Sequence, residues 1–139
     1  MKNHGELYRT EFVIFSDTSY HTVLRQWVSA LRVILGPNLI SKKAEIEITL
    51  GLIEAINNAI FHAHDSRQEK RISVSLSVDQ KDVMIDVIDG GDGIGSPELP
   101  RPDEMVDHGR GLFLIRSVMK STQSQKIKGM HRLRMVYEL

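Results

Sequence analysis

Ile72-Ser73-Val74-Ser75-Leu76-Ser77-Val78-Asp79-Gln80-Lys81-Asp82-Val83-Met84-Ile85-Asp86-Val87-Ile88-Asp89 is the stretch whose reading decides the fold. Apolar residues take every second position on both sides of a short polar break: Ile72, Val74, Leu76 and Val78, then Val83, Ile85 and Val87. A period of two turns one face of each run to a core and the other to solvent. The stretch therefore predicts two strands joined by a hairpin turn over Asp79 to Asp82. Before Asp65-Ser66 the apolar period is helical, so the chain passes there from helices to sheet.

Working towards the N-terminus, Ser41 can cap a helix that runs to about His64, with Ile46, Leu50, Ile53, Ala59 and Ile60 turned to the core. Gly36-Pro37-Asn38 ends an earlier helix, Tyr20 to Leu35, whose apolar positions are Val23, Trp27, Leu31 and Ile34. Ser16-Asp17-Thr18-Ser19 supplies capping residues for it, and Glu6 to Phe15 reads as a strand. Towards the C-terminus, Gly90, Gly91, Gly93, Gly95, Pro97, Pro100 and Pro102 describe a long loop to residue 108, with a lid at about 95–108. Gly109 to about Lys120 reads as a third helix, and Gln125 to Lys128 with Leu133 to Leu139 as a closing hairpin around Gly129. The order implies an α+β fold: a two-layer sandwich with three main helices on one face of a mixed, mostly antiparallel sheet.

At 139 residues and 41% apolar, the expectation is one domain over residues 1–139 with its own core. Eighteen basic and eighteen acidic side chains balance, so nothing predicts non-specific attraction to nucleic acid or to an anionic membrane. There is no cysteine, which excludes disulfides and thiolate metal sites. Met1 to Glu6 lacks an apolar signal core, and no apolar run is long enough to span a bilayer. A soluble, cytoplasmic protein is expected.

Three segments carry chemistry. Glu54, Asn58 and His62 stand four residues apart, so on a helix each lies about 40° round from the last and all share one face. Polar groups on the inner side of a helix are costly without partners, and a site for Mg²⁺ and phosphates supplies them. Asn58 has a carbonyl oxygen for the metal, and Glu54 a carboxylate to orient or deprotonate a nucleophile. The alternative is the solvated face of an amphipathic helix, with His62 a packing residue. Asp89 follows a strand and precedes Gly90-Gly91-Asp92-Gly93. A carboxylate there can accept from an exocyclic amine such as adenine's, and Gly91 and Gly93 let backbone approach a planar ring; the alternative is a glycine-rich turn. The spacing does not fit a calcium loop. Gly109-Arg110-Gly111-Leu112 opens a helix whose free N–H groups and dipole favour phosphate, although tight packing also explains such glycines. Neither the Walker pattern nor the dinucleotide fingerprint fits.

Taken in this order, the segments resemble the ATP-binding domain shared by gyrase, Hsp90, histidine kinases and MutL. Glu54, Asn58 and His62 resemble its asparagine box, Asp89-x-Gly91-x-Gly93 its first glycine box, and Gly109-x-Gly111 its second. Within that superfamily the chain is most similar to the stand-alone anti-sigma-factor serine kinases of bacterial partner switching. The similarity rests on length, on Glu54-Ala-x-x-Asn58-Ala-x-x-His62, and on Gly109-Arg-Gly-Leu-Phe-Leu-Ile115 followed by Met119. It implies a Bergerat-type fold, Mg-ATP binding and phosphorylation of a serine on an anti-sigma-factor antagonist. It also implies capture of a sigma factor or other regulator, and a homodimer formed through the first strand. By the same resemblance Glu54 is the base, Asn58 the metal ligand and Asp89 the adenine partner, with His62, Gly91, Gly93, Gly109, Arg110, Gly111 and Leu112 around the nucleotide. One segment departs: the family closes with a Gly-Thr-like stretch, whereas Gly129-Met130-His131-Arg132-Leu133 has no hydroxyl. The other reading is a nucleotide-gated binding module without catalysis.

Overall fold

The structure, a computed structural model, describes residues 5–15, 20–60, 71–89 and 110–139. The described elements are β1 (Tyr8–Phe15), α1 (His21–Leu35), α2 (Lys42–Asn58), β2 (Arg71–Val78), β3 (Asp82–Asp89), α3 (Arg110–Val118), β4 (Ser121–Ile127) and β5 (Met130–Glu138). The proposed capping run Ser16 to Ser19, the end of the second helix beyond Ile60 and the whole of residues 90–109 lie outside the described residues.

The strands form one sheet in the order β1-β2-β3-β5-β4. All four pairings are antiparallel, so the mixed, mostly antiparallel sheet expected from sequence is antiparallel throughout its described strands. The physical reason is that β2–β3 and β4–β5 are tight hairpins, and β5 and β1 then join β3 and β2 in the same antiparallel sense. The Asp79 turn is closed by its own side chain: one carboxylate oxygen accepts from the backbone N–H of Lys81 and of Asp82, 2.7 Å each. In the last hairpin Lys128 and Gly129 have φ of 49° and 79°, the left-handed pair that a two-residue turn of the right twist requires.

Alternation places Ile72, Val74, Leu76, Val78, Val83, Ile85 and Val87 on the buried face, as their spacing predicts. Leu133, Met135 and Tyr137 extend that face on β5. The helices pack on it through stripes that keep Leu31, Ile53, Ala59 and Ile60 of those expected and replace the rest. In α1 the core residues are Leu24, Val28 and Leu31, while Val23 and Ile34 are exposed. Trp27 meets Phe12 of β1 edge to face, with ring centroids 4.7 Å apart. In α2 the core face is Ala44, Ile48, Leu52, Ala55 and Ile56, with Ile53, Ala59 and Ile60 also buried. Ile46 is 59% exposed and Leu50 half-buried. Both helices carry apolar residues on more than one face, and packing selects which of them is covered. Ser41 caps α2 by accepting from the Ala44 N–H at 3.0 Å, and His21 of α1 donates to Asn57 of α2 at 2.7 Å.

The two N–H groups at the turn, that of Asp82 first and that of Lys81 second, hold the Asp79 carboxyl below its ordinary value of 3.8. A carboxyl lowered in the folded state adds stability above its unfolded value and loses it as pH falls through the folded one. Asp79→Asn keeps an acceptor but not the charge. The wild type is expected to be more stable than this variant at neutral pH, and the gap to close below the ordinary aspartate range. Urea denaturation across that span checks it; a gap that widens in acid contradicts it.

Candidate functional site

The end of α2 and the start of α3 meet at three residues that sequence reading singled out, Glu54, Asn58 and Gly111. A Cβ placed on Gly111 would lie 3.0 Å from Glu54 Oε2, 3.1 Å from Asn58 Oδ1 and 3.4 Å from Asn58 Nδ2. Backbone of the first turn of α3 is therefore pressed against a carboxylate and an amide, and any side chain at 111 would need them to give by a few tenths of an ångström. The two helices run antiparallel, because the far end of α3 meets the middle of α2: a Cβ on Gly51 would collide with the Met119 methyl. Asn58 is 4% exposed, so the solvated-face alternative for this residue is set aside. Its side-chain nitrogen finds no hydrogen-bond partner among the described residues. A buried donor of that kind costs free energy until an acceptor reaches it. Glu54 is half-buried on the same helical face, one turn earlier.

A second polar group lies on the inner face of the sheet. Asp89 is the last residue of β3 and pairs across the ladder with His131 of β5. Both are 2% exposed. His131 Nδ1 stands 3.5 Å from Asp89 Oδ2, and its Nε2 makes a short hydrogen bond with the hydroxyl of Ser124 on β4. Ser124, His131 and Asp89 thus form a chain across three neighbouring strands. Sequence reading singles out Asp89 and passes over His131 and Ser124, whose link to it lies in the strand pairing. Gly129 to Leu133 has no hydroxyl of its own, but that of Ser124 on the adjacent strand, two residues diagonal to the position facing His131, meets the imidazole.

The course of α2 relates the two groups. Burial, and then the carboxylate of Glu47 on α2, hold the Tyr137 hydroxyl above its ordinary value, so Glu47 lies over the end of the sheet where Tyr137 pairs with Val83. From Glu47 to Asn58 the helix advances roughly 16 Å, and from Val83 to Asp89 the strand advances roughly 20 Å. With the helix lying on the sheet, Asn58 and Asp89 fall towards the same end of the two layers. Gly91, Gly93, Gly109 and His62 lie outside the described residues. Arg110 opens α3, and Leu112 is half-buried against the core.

Among the described residues no three His, Asp or Glu side chains form a ready metal cage, and no helix is long and apolar enough to cross a membrane. A model described as the histidine kinase-like ATPase domain matches residues 18–137. The chain belongs to that family. Two solved structures agree on the fold. The first holds the RsbU and RsbW domains of Rv1364c from Mycobacterium tuberculosis, at TM-score 0.65 and 14% identity over 94% of this chain and 32% of that one. The second is the histidine kinase domain of the blue-light activated histidine kinase of Erythrobacter litoralis EL346, at TM-score 0.54 and 20% identity over 86% of this chain and 60% of that one. The chain thus spans about a third of the first structure's length and three-fifths of the second's. No curated protein matches it in sequence. Membership of this ATPase family implies nucleotide binding, and the described donors fit one: a buried amide lacking an acceptor, a helix N-terminus cleared by glycine, and a carboxylate beside it.

Gly111→Ala is expected to destabilise the protein by about 1–3 kcal/mol, because the added methyl presses on Glu54 and Asn58. Backbone effects of the alanine are common to any background and cancel in a double-mutant cycle with Asn58→Ala. That cycle, read by chemical denaturation, is expected to show coupling above about 0.5 kcal/mol. Additive costs would mean that the two residues do not touch.

Proposed function

We propose that this histidine kinase-like ATPase domain is an ATP-dependent serine protein kinase and anti-sigma factor of a bacterial partner-switching system. In this reading it acts as a single domain, phosphorylates a serine on a single-domain antagonist, and sequesters a sigma factor or another regulator. The observation that carries the reading is the contact of Gly111 with Glu54 and Asn58, which sets a carboxylate beside a helix N-terminus suited to phosphate. The RsbW domain in the Mycobacterium tuberculosis neighbour is consistent with it at the level of fold.

The residues divide the work as follows. Asp89 accepts from the exocyclic amine of adenine, and the start of α3 receives the phosphate tail. The Asn58 amide nitrogen donates to a phosphate oxygen, which gives its buried hydrogen a partner. The Asn58 oxygen, with phosphate oxygens and water, would hold Mg²⁺, which when bound offsets the charge of the phosphates. Glu54 takes the proton of the acceptor serine as the serine oxygen bonds to the terminal phosphorus. The bond from that phosphorus to the bridging oxygen breaks, and ADP leaves. His62, Gly91, Gly93, Gly109, Arg110 and Leu112 complete the nucleotide surround. A homodimer through β1 belongs to the same reading: β1 is an edge of the sheet and exposes Val13 and Phe15.

A second reading is a nucleotide-gated binding module that captures its partner without catalysis. It is favoured by the absence of a hydroxyl between Gly129 and Leu133. One assay separates the two. With Mg-ATP and candidate single-domain antagonists, wild type is expected to yield a phosphoserine peptide by mass spectrometry. Glu54→Gln is expected to lose at least about a hundred-fold in transfer while keeping ATP affinity within a few-fold. Partner binding that needs ATP but leaves no phosphopeptide favours the binding module, and unchanged transfer by Glu54→Gln removes that residue from the chemistry.

A further inference from the structure

We infer that His131 sets the nucleobase selectivity of this chain by holding the Asp89 carboxylate in place, with Ser124 as its far anchor. The inference rests on the reading of Asp89 as the group that meets the base. It begins from the pairing register, which puts His131 directly across from Asp89 at the polar end of an otherwise apolar row of side chains. Both side chains are almost wholly buried, so neither can exchange its neighbour for bulk water without the strands parting.

The direction of the contact follows from the donors available. A carboxylate only accepts, so the imidazole nitrogen that faces it must carry hydrogen. In the neutral ring the other nitrogen then accepts, and the Ser124 hydroxyl beside it is the donor. In the charged ring both nitrogens donate and the hydroxyl accepts. Either way Nδ1–H points at Asp89 Oδ2, and the serine hydroxyl turns to suit. Lys126, directly across the ladder from His131 on β4, is exposed. On its two flanking strands the imidazole thus meets Asp89 and Ser124.

A carboxylate held in one orientation distinguishes purines by what they present. An exocyclic amine donates to it, while a carbonyl at the same place brings two acceptors together and leaves both unpaired. A site built to pair a substrate N–H rejects the analogue that lacks it far more strongly than a loose one does. His131 is thus a positioning residue: it touches Asp89, and it acts on the base through that contact.

The test is calorimetric binding of non-hydrolysable Mg-bound ATP and GTP analogues to the full chain. For wild type, ATP is expected to bind more tightly than GTP. His131→Ala is expected to weaken ATP about ten-fold with little change for GTP, the size of one hydrogen bond to a charged group. His131→Asn, which restores an N–H donor, is expected to recover most of the ratio. Ser124→Ala, at a half-exposed position where folding is not at stake, is expected to move the ratio the same way by about two- to five-fold. If His131→Ala does not fold, the Ser124→Ala ratio alone decides the matter. An ATP-to-GTP ratio that stays at the wild-type value in these variants overturns the inference and leaves the nucleotide reading intact. A wild type that binds neither analogue overturns both.

Discussion

The first turn of α3 lies against the polar end of α2 because residue 111 has no side chain, and the rest of the candidate site depends on that approach. The same helix pair closes at its other end on Gly51 and Met119. Two positions without side chains therefore keep the helices close along the whole of α3. The close approach brings the partial positive charge of a helix N-terminus to within contact of Glu54 and Asn58. A larger residue at 111 would displace the helix start outward, and the dipole's effect is confined to the first turn.

That arrangement has a cost, which the fold concentrates at one end. Asn58, Asp89 and His131 are buried polar groups in a core otherwise made of aliphatic side chains. Asp89 and His131 offset part of their desolvation through each other and through Ser124, whereas the Asn58 nitrogen has no partner among the described residues. A contrasting pair shows what purely structural polarity looks like here. Asp86 and Arg134, directly paired on β3 and β5, make a two-pronged ion pair at 2.8 Å on the opposite face of the sheet. The Asp86 carboxylate, by hydrogen bonding first, holds the Arg134 guanidinium above its ordinary value. Every prong of that pair is satisfied, which is what a register clamp needs. Among the described residues the Asn58 donor is not satisfied, which is what a binding site needs.

The sheet hairpin was legible because alternation is a local signal: Ile72 to Val87 face the core at the positions their spacing gives. The helices were legible as helices, and by face only in part: Leu31, Ile53, Ala59 and Ile60 are buried as expected. Val23 and Ile34, or Ile46 and Leu50, satisfy helical spacing as well as Leu24 and Val28, or Ile48 and Leu52; only the packing partner decides between them. The first part of β4, Ser121-Thr122-Gln123-Ser124, was missed because an edge strand with so little apolar content has no periodicity to read. Glu54, Asn58 and Gly111, singled out separately by spacing, are brought into contact by two helices far apart in the chain. Asp89 was found from its place at a strand end. His131 was not, since its meaning lies in a cross-strand pairing with a residue 42 positions away.

His131 also changes what the departure at Gly129 to Leu133 means. A hydroxyl lost from a binding segment suggests a weaker site if the position is considered alone. In the folded sheet the hydroxyl is supplied from β4, and an imidazole spans the distance from it to Asp89. Imidazole is the one side chain that presents two nitrogens on opposite edges of a rigid ring, each able to meet a different polar group. A threonine at 131 could touch Asp89 but could not also reach a neighbour on the next strand in the same way. The imidazole therefore couples Asp89 to the edge strand. Edge-strand order and the carboxylate's orientation then depend on each other, which ties the last hairpin to the site across the full width of β5.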